Sequence, residues 1–148
     1  MKKSLSLFIL ALALCCVSIS SSSQPFSSKN DQFIEVSVQQ VILKPGDSIS
    51  RYFGDLTINL KLSNTGRSVE CNMYLSTQLI GVQTLTAEQS QYPFDLQLAD
   101  YKANGTLTLQ INETPDAFSK VSGIFTYTVV ANHQSFICKG DLIAWHLN

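Results

Sequence analysis

Charge is scarce in this sequence. Asp, Glu, Lys and Arg make up 14% of its 148 residues, and the ten basic residues form no cluster. Nucleic-acid binding needs a concentrated positive surface that neutralises phosphates, and nothing here supplies one. Polybasic attachment to an anionic membrane is excluded on the same ground. Histidine is equally sparse: His133 and His146 are the only two. One follows Asn132 in a turn signal and the other sits at a strand rim, so they offer no converging metal set or triad. G-x-S-x-G, H-E-x-x-H, phosphate-loop, calcium-loop and C-x-x-C patterns are all absent. The reading is therefore non-enzymatic, with no catalytic residue, no metal and no cofactor. Also missing is any convincing helical run of ten residues.

What is present begins with a leader. Met1-Lys2-Lys3 is followed by an apolar run from Leu5 to Ile19 and by the small residues Ser20–Ser23. That layout is a secretory signal over residues 1–23, the run being short for a membrane span. Leu12-Ala13-Leu14-Cys15 resembles a bacterial lipoprotein box, which makes Cys15 or Cys16 the candidate for lipidation and the only route to a membrane. Residues 24–31 read as a polar linker and residues 32–148 as one domain. Without Lys2 and Lys3 the mature chain is mildly acidic, with eight basic residues against eleven acidic.

Two cysteines remain in the domain, Cys71 and Cys138. In an exported protein an even count favours a disulfide, worth about 4 kcal/mol across so long a loop.

Period-two alternation runs through the domain. Leu56, Ile58, Leu60 and Leu62 alternate with Thr57, Asn59, Lys61 and Ser63, which predicts an antiparallel strand with one buried face. Val69, Cys71, Met73 and Leu75 repeat the pattern, as do Leu107, Leu109 and Ile111. Residues 33–43 shift phase at Gln40, which predicts a bulge or a change of partner. Residues 122–147 read as two strands joined at Asn132-His133, with Ile124, Thr126 and Thr128 on the face opposite Phe125 and Tyr127. The sum is an all-β domain of about eight strands: an antiparallel β-sandwich or, as the alternative, a closed β-barrel, with one disulfide. Lys61, Lys102, Lys139 and Pro45 are the expected edge guards.

The stretch Leu43-Lys44-Pro45-Gly46-Asp47, followed by the alternating strand that ends in Asn64-Thr65-Gly66, resembles the opening of bacterial immunoglobulin-like domains. The resemblance implies a sandwich and leaves function open.

Three readings of function compete. The foremost is an exported binding or assembly module of a bacterial envelope, surface or secretion system, periplasmic or secreted, with a protein partner. The second is a carrier whose barrel encloses a small apolar ligand. The third is a small hydrolase, which needs two carboxylates about 5–9 Å apart. Asp47, Asp55, Asp95, Asp100 and Asp141 lie near strand ends. For binding, Arg51, Tyr52, Phe53, Tyr101 and Phe118 combine aromatic area with a donor at loops or strand ends, the residue types of interface anchors. They predict a site at one end of the sandwich, with oligomeric state left open.

Overall fold

The computed structural model describes residues 19–20 and 32–147. Apart from Ile19–Ser20, the leader and linker lie outside the described residues, as do Cys15 and Cys16.

The strand with the cleanest alternation, β5 (Leu56–Leu62), is the middle of a four-stranded sheet. Its Leu56, Ile58, Leu60 and Leu62 are fully buried, and each such side chain contributes about 1.5–3 kcal/mol on leaving water. Beside it run β4 (Ser48–Phe53), β6 (Ser68–Leu75) and β7 (Gln78–Thr86), in chain order and all antiparallel. The β4–β5 connection is Gly54-Asp55 alone, because Phe53 pairs with Leu56. Gly54 takes φ +61°, as the first central position of a tight hairpin turn requires, and a Cβ there would stand 3.2 Å from the Tyr127 ring.

A second meander follows: β8 (Gln91–Gln97), β9 (Tyr101–Gln110), β10 (Ser119–Val129) and β11 (Gln134–Trp145). A short 3-10 turn, Val130–Asn132, joins the last two, and His133 closes it with φ +54°. The expected junction at Asn132-His133 is therefore there, with Asn132 Oδ1 accepting the Gln134 N–H at 3.1 Å. The beginning of the domain returns to its end. β2 (Gln32–Ser37) and β3 (Val41–Ile42) both lie parallel to β11, and β1 (Ile19–Ser20) lies antiparallel to β2. This sheet is mixed, where the alternation alone predicts antiparallel pairing.

The phase shift at Gln40 is the gap between β2 and β3. It faces the part of β11 where the register with β10 slips, between Val121 and Ser122. Past that slip Leu142, Ile143, Ala144 and Trp145 are all buried. Phe53 packs edge-on against Phe125 at 4.9 Å, tying β4 to β10, and Trp145 donates to the Gly66 carbonyl. The two sheets thus stack as a sandwich filled by side chains, and they do not close into a barrel. The barrel alternative is set aside on that geometry.

Two further expectations are corrected. Cys71 and Cys138 are both buried, and both are free thiols. Both face the core, but from different sheets and different flanks. Cys71 on β6 lies close enough to Tyr92 of β8 to raise that phenol's pKa, after burial itself. Cys138 on β11 pairs with Phe125 and Val36, three strands away from β8. The two thiols are not bonded to each other. The parity argument was blind to which flank of the core each strand occupies. Nor do the lysines guard edges: Lys61, Lys102 and Lys139 lie on β5, β9 and β11, all interior strands, and Pro45 lies in the turn before β4.

Candidate binding surface

One end of the sandwich is formed by the β4–β5 turn, the start of β9 and the β10–β11 turn. Here Tyr101, Tyr127 and Phe136 stack in sequence across three strands, with ring centroids 5.8 and 5.9 Å apart. The Gly54 turn aims Asp55 at this stack, and Tyr127 Oη donates to Asp55 Oδ2 at 3.2 Å. Burial, then the Asp55 charge, pushes the Tyr127 phenol well above its ordinary range. Tyr101 is raised too, chiefly by its hydrogen bond to Asp55. A carboxylate receiving phenol donors with no nucleophile beside it is a latch between sheets. It resembles neither a general acid nor a nucleophile pair.

The five residues chosen for binding separate. Tyr52, Phe53 and Tyr101 reach this end, but Phe53 is core and Tyr101 is half-buried in the stack. Arg51 pairs with buried Ile58 and so points inward, where its guanidinium bonds the Gln39 carbonyl and burial lowers its pKa. Phe118 lies at the opposite end, in the β9–β10 loop, against His146 with centroids 3.9 Å apart. Only Tyr52 is freely exposed at this end, at 73%. Two of the other carboxylates hold structural partners: Asp47 accepts the Lys44 N–H at 3.0 Å, and Asp141 accepts from Lys120 at 3.2 Å. Among the described residues no three His, Cys, Asp or Glu side chains converge.

Tyr52 belongs instead to a row across the outer face of the four-stranded sheet. The register sets Tyr52, Thr57, Tyr74 and Leu79 side by side on β4, β5, β6 and β7. The next row is Ser50, Asn59, Asn72 and Val82. Leu79 and Val82 are 49% and 57% exposed, and Tyr74 is half-buried between its neighbours. Within this second row the Asn59 Oδ1 is shielded from solvent and has no hydrogen-bond partner. The charges of this face, Lys61 and Glu70, come one row further on, opposite each other in the register, with Glu70 accepting from the Asn72 amide at 2.9 Å. An exposed aromatic and aliphatic band with a polar margin is the surface pattern of protein contacts. Gly81 and the bulge beside it interrupt the alternation of β7 and so hide Leu79 and Val82 from a reading by periodicity. Their signal was the absence of charge along Gln78–Thr86.

The class that this geometry defines is a two-sheet β-sandwich with an apolar outer band. No family model, curated protein or solved structure matches the chain.

Proposed function

We propose that this chain is a non-enzymatic, exported binding or assembly module of a bacterial envelope, surface or secretion system, and that it holds a protein partner on the outer face of the four-stranded sheet. The observation that carries the reading is the row of exposed Tyr52 and Leu79 about half-buried Tyr74, with exposed Val82 beside it, which no described strand covers. Tyrosine supplies large contact area at low entropic cost and is enriched among residues that dominate binding energy. The leader supports export to the periplasm or beyond, with Cys15 or Cys16 as the lipid attachment point if the chain is retained on a membrane. The carrier reading loses its barrel to the open sandwich, and against the hydrolase reading stand the structural bonds of Asp47, Asp55 and Asp141.

A photo-crosslinking residue placed at Leu79, and another at Thr106 on the opposite sheet's outer face, tests this in the native host. An adduct with a discrete envelope protein is expected from position 79 and none from 106. It should vanish in Tyr52→Ala without loss of folded protein. No adduct from 79, or equal adducts from both, sinks the assignment.

A further inference from the structure

A strand with unpaired backbone groups recruits another strand unless something guards it. The sandwich has four edges. β8 carries Pro93, which lacks an N–H, and Asp95. β4 turns Arg51 inward. β7 is broken by a bulge, where Ile80 has no partner on β6. Among the described residues β2 is guarded by β1 alone: Ile19 pairs with Val36 and Ser20 with Glu35. Both β1 residues belong to the leader read from the sequence, whereas every buried core residue lies between Phe53 and Trp145. Removal of residues 1–23 therefore keeps every buried residue of the core and strips β1 from β2, whereas cleavage before Cys15 or Cys16 leaves β1 in place.

We propose that, once the leader is removed, β2 pairs in its place with β2 of a second copy of this chain, antiparallel and about a twofold axis at Val36. The inference rests on the export reading for its trigger. β1 establishes that this edge accepts an antiparallel strand with Val36 in the register. With Val36 facing its counterpart, Ile34 falls opposite Val38 and Glu35 opposite Ser37 of the second copy. The apolar row, half-buried in a single copy, meets its own kind, and no like charges face each other. The outer face contributes as well. Phe33, 54% exposed, lies one diagonal step from Ile137, which lies one step from Ile124, 60% exposed. This apolar diagonal leads across β10 and β11 to the joint. Each copy spends the one edge left open among its described strands, so the assembly closes at two.

The test compares the chain beginning at residue 24 with the full chain from residue 1, by analytical ultracentrifugation, and adds Val36→Cys under mild oxidation. The shorter chain should be a dimer and the longer one a monomer. Directly paired strand residues have Cα atoms about 4.5–5.5 Å apart, within disulfide range, so V36C, made in the shorter chain with Cys138→Ala because Cys138 lies beside Val36, should link two copies. The shorter parent, whose two cysteines are buried, and its Thr84→Cys variant on β7 should not link. A monomeric shorter chain overturns the joint, as does a dimer in which V36C fails to link or T84C links as readily. A dimeric longer chain overturns β1 as the cover. Sequencing the N-terminus of protein from its host tests export separately: a retained Met1 overturns that reading and leaves the ultracentrifugation result standing.

Discussion

Trp145 Nε1 donates a 2.9 Å hydrogen bond to the carbonyl of Gly66, joining the last strand of one sheet to the β5–β6 turn of the other. The pair interlocks in both directions. Gly66 has φ +69°, and a Cβ on it would stand 3.2 Å from that same Nε1 and 3.0 Å from Leu147 Cδ2. Trp145→Phe keeps most of the apolar volume and orphans the carbonyl, so it should cost about 1–3 kcal/mol in urea denaturation. Gly66→Ala adds backbone strain and crowding and should cost a similar amount. Full stability in both variants would show that the turn does not lock the sheets.

The thiols set an alkaline limit. Burial pushes both Cys71 and Cys138 up to about 12 from 9.0, with Glu70 adding to the rise at Cys71. The folded pKa lies above the unfolded one, so the contribution to stability is complete below pH 9 and is lost as pH climbs toward 12. Each thiol then costs on the order of 1.4 kcal/mol per pH unit in that window. Chemical denaturation at pH 8 and pH 10.5 should show the decline, and Cys71→Ala with Cys138→Ala should flatten it. Alkylation of unfolded, unreduced protein should label both thiols.

The Asp55–Tyr127 latch makes a second, smaller contribution in the same direction. Tyr127 is raised by burial and by Asp55, so its protonated form is held by the fold, and ionisation above about pH 10 works against folding. Tyr127→Phe removes the donor while Asp55 remains at the exposed turn, so the cost at pH 7 should be about 1 kcal/mol. A Gly54→Ala change should cost more, since it forces a side chain into positive φ against the Tyr127 ring.

Core and surface rows should respond oppositely. Leu60 is fully buried, and Leu60→Ala should destabilise by about 2–5 kcal/mol. Leu79→Ser and Val82→Ser should stay within about 0.5 kcal/mol of the parent, since both side chains already face water. Thermal melts of the three variants check both halves of this contrast.

Strand identity was legible because local alternation determines which face is buried. Leu56–Leu62 and Val69–Leu75 needed no tertiary information to be read. Neighbour relations were not legible in the same way. Nothing local to Phe33–Ser37 says that it lies parallel to Gln134–Lys139, and so nothing places Val36 beside Cys138 or keeps Cys71 away from it. The same blindness undid the edge guards, because a lysine protects an edge only if its strand is one. Tyr52 was recognisable as an exposed aromatic. Its companions Tyr74 and Leu79 became neighbours only through registers that three separate turns set. Arg51 differs again: a charged residue at the inward phase of a strand signals a sealed edge, and that phase could have been counted from Phe53.

The parallel pairing of β2 with β11 governs how the chain can be assembled in time. Each four-stranded meander closes through short turns, so both can form soon after their residues become available. Gln40 and Asp141, by contrast, meet across 101 residues. Closing so long a loop carries an entropic cost that local hairpins avoid, and contacts of this range slow folding. If the chain crosses a membrane N-terminus first, β2 emerges early and waits without its partner until β11 follows. During that interval its apolar row is exposed to whatever else is being delivered, and a helper that shields residues 32–43 would find its substrate there.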